Sequence, residues 1–348
     1  MSERVTMQDI ADALELSRNT VSKALNNTGI LADATRERIL QKAQELGYSR
    51  FSYKSSADAF TTPVINREIA LFTTSIPGNF HFASTMLDYF QNEISNLGYR
   101  LSIYLIREKE LTTLTLPLGF NRDSTDGILI IEMFDLEYSR MLCKAGIPTL
   151  FVDSVVNPKI NGLESDFLYM DNTTHVFLIM KELVEQGLTK FGFIGEYMHC
   201  QSFYERYQAF RYALETFGLA YHSEFCILDR DYTLTHTDFL KKRFSEMKQH
   251  PEVFICANDF IAGYFIHAVS GSGYSVPKDF LLCGFDDSQE SKIITPPLTT
   301  VHIHSQIMGV SAVQLLISRI KNPDMNYRTV YTETTLKRRT STENQKNK

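Results

Sequence analysis

The 348-residue chain has no apolar run approaching the roughly 18 residues of a membrane-spanning helix, so no span is expected. Its start, MSERVTMQDI, is polar where a secretory leader needs a continuous apolar stretch, and export is not expected. Cysteine is scarce. The five, Cys143, Cys200, Cys226, Cys256 and Cys283, are odd in number and widely spaced, with no Cys-x-x-Cys pair. That pattern reads as reduced thiols in the cytosol, without a disulfide framework or a structural zinc. Catalytic signatures are also missing. Ser270-Gly271-Ser272-Gly273 is followed by no Lys-Ser or Lys-Thr and reads as a turn rather than a phosphate cradle. His302 and His304 have a chelating spacing but no visible third ligand, and Asp286-Asp287, as strand neighbours, point to opposite faces with no nucleophile elbow nearby. No enzymatic activity, cofactor or metal site is expected.

What is present suits a folded chain of two or three domains, at 43% hydrophobic and 22% charged residues. The net charge of -6 argues against a nucleic-acid partner only as an average. Residues 16–57 hold seven Lys or Arg (Arg18, Lys23, Arg36, Arg38, Lys42, Arg50, Lys54) against three Asp or Glu (Asp33, Glu37, Glu45). A small basic contact surface on an acidic body fits that asymmetry.

Within this head, Thr6 and Asp9 have capping-box spacing, and Met7, Ile10, Ala13 and Leu14 follow at helical intervals. Ser17 is a second N-cap, opening a helix over Arg18–Asn26 whose Val21, Ala24 and Leu25 share one face. Only Glu15 and Leu16 separate the two helices, which imposes the sharp crossing of a helix-turn-helix. A third helix over Ala34–Leu46 buries Ile39, Ala43 and Leu46 and stops at Gly47. Arg18, Asn19 and Lys23 then project from one helix start as groups able to read base edges in a major groove. Thr6, Ser17, Thr20, Ser22, Asn26 and Thr35 are short hydrogen-bonders suited to phosphates. The plain alternative is a solvated polar face on a helical bundle.

Val5-Thr6-Met7-Gln8-Asp9-Ile10-Ala11, Leu16 to Asn26, Thr35-Arg36-Glu37-Arg38-Ile39 and Leu46-Gly47-Tyr48 together resemble the head of the lactose-repressor (LacI/GalR) family. The resemblance implies that Arg18, Asn19 and Lys23 face bases, and it adds Tyr48 to the DNA-contacting set. Lys23 stands where the family usually has Arg, and a lysine cannot make the bidentate fork to guanine. Beyond Tyr48 the family has a hinge helix with a leucine wedge, whereas the stretch from Ser49 to Pro63 is serine-rich and contains no leucine. Two readings stay open for it: an aromatic wedge from Phe51 or Phe60, or a flexible tether without DNA contact.

From Glu68 onward, apolar strand-like runs alternate with helical patterns, which implies parallel sheet layers in two lobes. An echo supports the split, since Ala145-Gly146-Ile147-Pro148 precedes a strand ending at Asp153 much as Gly273 to Pro277 precedes one ending at Asp286 and Asp287. Carboxylates at the C-terminal ends of parallel strands face a ligand crevice. Asp171-Asn172, Gly192 to Gly195, Glu205-Arg206, Cys256 to Asp259, Val276-Pro277, Gly284 to Asp287 and Pro297 to Val301 stand in the order of the family's body. The resemblance therefore implies a two-lobed, periplasmic-binding-protein-like (type I) α/β body with an interlobe cleft. It places Arg206, Asn258 and Asp286 in the effector site, joined from the first lobe by Asp153, Phe80 and Phe82. A guanidinium, an amide, carboxylates and an aromatic face are groups that grip a sugar.

The expected layout is a helix-turn-helix head at 1–49, a linker at 50–66, a body at 67–338 and a flexible tail at 339–348. The first lobe comprises about 67–165 and 304–330, and the second about 166–301 and 331–338. The chain should cross between lobes near Ser165, His302 and Val330, with the helix from Ser305 to Ile320 returning to the first lobe. The expected activity is that of a cytoplasmic, sequence-specific repressor of carbohydrate-utilisation genes. Its partners would be double-stranded operator DNA, a sugar or sugar-phosphate effector, and a second copy of itself. The family's tetramerising tail is a leucine heptad repeat, and STENQKNK at the end has no leucine, so a homodimer is expected.

Overall fold

The computed structural model describes residues 6–25, 33–46, 67–78 and 82–343. The chain divides into two compact units, residues 1–64 and 65–348.

The first unit carries three helices: α1 (Met7–Leu14), α2 (Arg18–Leu25) and α3 (Asp33–Glu45). The Asp9 amide donates to Thr6 Oγ1 at 3.4 Å while the Thr6 amide donates to Asp9 Oδ2 at 2.6 Å, so the capping box forms. Glu15, with φ of 55°, takes the left-handed conformation that ends α1 and turns the chain into α2. Ser17 Oγ accepts from the Thr20 amide at 3.0 Å and caps α2. Ile10, Ala11, Val21, Ala24, Ile39 and Ala43 form the core. Leu46 departs from expectation: it lies just past α3 and is 37% exposed, because the helical face has already rotated away from the core.

The second unit follows in chain order as β1 (Glu68–Thr73), α4 (Phe82–Asn96), β2 (Arg100–Leu105), α5 (Glu108–Thr113), β3 (Thr125–Ile131), α6 (Leu136–Cys143), β4 (Thr149–Val152) and β5 (Asp166–Met170). It continues through α7 (Thr174–Glu185), β6 (Phe191–Ile194), α8 (Gln201–Thr216), α9 (Asp231–Leu234), α10 (Thr237–Ser245), β7 (Val253–Cys256), α11 (Asp259–Ser270), β8 (Leu281–Cys283) and α12 (Gln289–Ile293). The last elements are β9 (Thr300–Ile303), α13 (Ser305–Lys321), β10 (Thr329–Thr332) and β11 (Thr334–Lys337).

One parallel sheet has the order β10-β5-β4-β3-β1-β2 and a second has the order β6-β7-β8, while β9 and β11 pair antiparallel. The strands of β1, β4 and β5 are buried throughout, as a sheet covered on both faces requires. Helix α13 packs on α4 and on β3, β4 and β5, so it does return to the first lobe.

Two expected boundaries are corrected. Asp166–Met170 belongs to the first lobe's sheet, where β5 lies between β4 and β10, so the chain first leaves that lobe after Met170 rather than near Ser165. The buried Asp166 carboxylate fixes this placement, because it takes Arg319 Nε and Nη2 at 3.0 Å from α13 and the Arg328 amide at 2.7 Å from the approach to β10. The tail is not free from residue 339: Ser341 is fully buried, donates to Leu282 O at 2.6 Å and accepts from the Thr299 amide at 2.7 Å. Those bonds satisfy backbone groups at the outer edge of β8 and make residues 338–343 a strap on the second lobe. Residues 344–348 and the linker lie outside the described residues.

Candidate functional site

The head presents Arg18, Asn19 and Lys23 as exposed side chains on the outer face of α2, opposite the buried Val21 and Ala24. Thr6, Ser17 and Thr20 are hydrogen-bonded within the caps, with Ser17 Oγ and Thr20 Oγ1 2.8 Å apart. Ser22 and Thr35 are half-buried. Asn26 and Tyr48 lie outside the described residues.

In the body, two carboxylates with positive φ directly follow strands of the first lobe: Glu132 after β3 and Asp153 after β4. Asp153 Oδ1 accepts from the Ser154 amide at 2.8 Å and from the Ser202 amide at 3.2 Å, so it reaches across to the first turn of α8 in the other lobe. Arg206, 3% exposed on α8, donates from Nε to Asn172 Oδ1 at 3.0 Å and from Nη1 to Ala257 O at 2.7 Å, and lies 3.6 Å over the Phe285 ring. Its Nη1 is 3.6 Å from Asp286 Oδ1. Asp286 has φ of 117°, and burial, opposed by Arg206 and reinforced by Glu132 and Asp153, pushes its carboxyl up to about 7. Burial first, then the charges of Asp153 and Asp231, raises Glu132 to about 7 as well.

Asn258 is the N-cap of α11, its Oδ1 accepting from the Ile261 amide at 2.9 Å, so part of its hydrogen-bonding capacity is spent on the cap. Phe82 opens α4 and, with Thr85, Asp286, Lys292 and His302, lines a cavity of about 260 Å³ between the lobes. Phe80 lies outside the described residues. A larger cavity, about 750 Å³, opens at the opposite, N-terminal edge of the second sheet beside Lys190 and Arg243, away from these carboxylates. Among the described residues no three His, Cys, Asp or Glu side chains gather to hold a metal ion, and no helix is long and apolar enough to cross a membrane.

Residues 6–50 match the model of the LacI family of bacterial regulatory proteins, and residues 180–342 match a periplasmic binding protein-like domain. The chain belongs to the LacI family. Among curated relatives, the HTH-type transcriptional repressor PurR of Mannheimia succiniciproducens is 26% identical over 328 residues, covering 93% of this chain and 95% of that protein. The fold is similar to the CelR regulator in complex with cellobiose, with a TM-score of 0.66 and 22% identity over 97% of this chain and all of the other. It is likewise similar to the lac repressor dimer bound to operator and an anti-inducer, with a TM-score of 0.64 and 20% identity over 98% and 99% of the two chains. This LacI-family member is thus a DNA-binding transcriptional regulator with an effector-binding body, not an enzyme.

The crevice gathers Arg206, Asp286 and Asp153, as the family order of motifs implies, and half-commits Asn258 to a cap. Sequence reasoning missed Glu132, Asn172, Asp231 and Glu196. Glu132 carried the same signal as Asp153, an acid at the end of a parallel strand. Asp231, whose amide donates to Glu196 Oε2 at 2.6 Å, had no such mark, because α9 is a four-residue turn of helix. Asp286 and Asp287 lie past the end of β8 with positive φ, so strand alternation does not separate them: both line the cavity of about 260 Å³, where Asp287 pairs with His302 Nδ1 at 3.0 Å and with the Arg339 guanidinium of the strap. Burial holds His302 below its ordinary value. Asp259, under the same loop, accepts from Thr300 Oγ1 at 2.5 Å and the Ser288 amide at 2.8 Å. Burial and the neighbouring Asp286 raise it to about 8. Gly284 is required there, since a Cβ would lie 2.2 Å from Asp259 Oδ1.

Proposed function

We propose that this protein is a homodimeric, cytoplasmic repressor of carbohydrate-utilisation genes whose operator affinity is set by a small sugar bound between the lobes. The observation that carries the reading is Arg206, immobilised by Asn172 and Ala257 beside Asp286 and facing Asp153 of the other lobe. A fixed guanidinium donor among carboxylate acceptors matches vicinal hydroxyls, which donate and accept at once. The cellobiose complex of a similarly folded regulator supports a sugar, and the operator-bound dimer supports two heads on adjacent half-sites of a pseudopalindrome. Between the sugar and the sugar-phosphate expectations, the acidic crevice favours the unphosphorylated ligand.

Three chain crossings join the lobes, at residues 170–174, 299–304 and 332–334, so ligand binding biases a hinge rather than a single loop. Repression relieved by inducer is the favoured sign, and the lobe arrangement that fits the operator decides it. The test is fluorescence anisotropy on a DNA site selected by the protein from a random pool, titrated with mono- and disaccharides. Release by one sugar is expected. Affinity unchanged by every sugar would overturn the effector assignment.

A further inference from the structure

The fixed position of Arg206 depends on a chain of side chains that begins in the other lobe. Arg206 Nε donates to Asn172 Oδ1 at 3.0 Å. The Asn172 amide is held in that orientation from its other end, where Nδ2 donates to Glu205 Oε2 at 2.8 Å and to Ser202 Oγ at 3.3 Å. Glu205 Oε1 in turn accepts from Gln201 Nε2 and from the Tyr331 hydroxyl, each at 2.8 Å. Gln201, Ser202, Glu205 and Arg206 all lie on α8 of the second lobe, whereas Tyr331 lies on β10, at the edge of the first lobe's sheet. The Tyr331 ring packs against Tyr169 of β5 with centroids 5.3 Å apart, so the first lobe presents its hydroxyl.

The start of α8 meets the first lobe a second time. The Asn157 amide donates to Gln201 Oε1 at 2.7 Å and the Gln201 amide to Ser154 O at 2.8 Å, beside the bond from the Ser202 amide to Asp153. Gln201 therefore takes one bond from the loop after β4 and passes one on to Glu205. At Glu205, three donors from Asn172, Gln201 and Tyr331 share two carboxylate oxygens. A glutamine in that place offers one oxygen and two further donors, so it cannot serve all three. Bonds to a charged acceptor are the stronger kind, and their loss is felt at every group that leans on them.

We propose that Glu205 is a positioning residue for Arg206 and that Tyr331 holds it from the opposite lobe, so that the effector-binding guanidinium is fully oriented only while the lobes are together. The inference rests on the effector reading above and extends it to how lobe closure is felt at the site. A ligand that bonds to Arg206 gains from this relay in one lobe arrangement and not in the other, which is the differential interaction that a two-state hinge needs.

Hydrogen exchange in the ligand-free full chain, followed by NMR with the arginines labelled at Nε, tests this. Tyr331→Phe removes one hydroxyl from a side chain that is 50% exposed, so folding should be spared. The amides of Asn157, Gln201 and Ser202, whose bonds span the lobes, should exchange about tenfold faster, the scale of one hydrogen bond to a charged group. The Arg206 Nε proton should follow them. The Phe167 and Asp171 amides, bonded to Arg328 O and Thr332 O on either side of Tyr331 in the chain, should keep their rates, and the melting temperature should hold. Glu205→Gln should give the same pattern of faster exchange, and adding Tyr331→Phe to it should change little more, because both substitutions act through one bond. Exchange at the three spanning amides that Tyr331→Phe leaves unchanged overturns the proposal. So does an Arg206 Nε proton that neither variant affects, since Glu205 would then position nothing. A lower melting temperature in Tyr331→Phe, with faster exchange at Phe167 and Asp171, marks a local packing role alone and also overturns it. None of these measurements involves a sugar or DNA, so their failure leaves the effector reading standing, and that reading fails by its own titration.

Discussion

The head and the crevice put polar side chains to work in opposite ways. In the head, a core of six small or branched residues holds a helix whose reading groups, Arg18, Asn19 and Lys23, stand in solvent, so their contribution waits for DNA. In the crevice and beneath it, Arg206 and Asp259 are buried and Glu132 and Asp286 half-buried before any ligand arrives, and the carboxylates shift upward as a result. The difference teaches that a substitution in the head should change binding and spare folding, while one in the crevice should change both.

Arg206→Ala should break that contrast most severely. It leaves Asp286 and the Asn172 and Ala257 acceptors buried without their donor, so unfolding in urea should register a loss of about 3–5 kcal/mol along with loss of ligand binding. Replacing Arg18 and Lys23 together by alanine is the mirror experiment. Each should cost about 1–3 kcal/mol in anisotropy on the selected DNA site, with stability changed by less than about 0.5 kcal/mol.

The crevice also predicts a pH dependence. Asp259 holds its proton to about 8 when folded, and Glu132 and Asp286 to about 7, whereas an unfolded carboxyl releases it near 4. The folded state therefore binds more protons across that window, and stability, complete below about 4, falls as pH rises toward about 8. The body's melting temperature should decline from pH 5 to pH 8, and Asp259→Asn should flatten the decline. A melting temperature that rises over this range would remove the buried-acid account. The smallest effect belongs to the head, where Ser17→Ala removes the cap on α2 and should cost about 1 kcal/mol, read as faster amide exchange in α2.

The elements that were legible in the sequence are those set by neighbours along the chain. The capping box at Thr6 and Asp9, the Ser17 cap and the apolar faces of α1 and α2 are spacing rules, and they form as expected. The strand ends at Asp153 and Asp286 were legible because a strand followed by a helix is a local pattern. What was not legible depends on partners far away. The run Phe167–Met170 looks the same whether it joins one sheet or the other, and Arg319 and Arg328 decide the matter through Asp166. Arg339 and Ser341 read as a polar tail because their acceptors, Asp287, Leu298 and Leu282, are supplied by another part of the chain.

By itself, then, the sequence determined a helix-turn-helix head with Arg18, Asn19 and Lys23 on its outer face, a parallel α/β body, and acids at the ends of its strands. Periodicity and capping act over three or four residues and need nothing else. Only the tertiary structure decided which acids influence one another, because Glu132 feels the charges of Asp153 and Asp231 only once separate elements have packed together. It also decided their protonation, since burial, a property of the whole fold, is the largest influence on each.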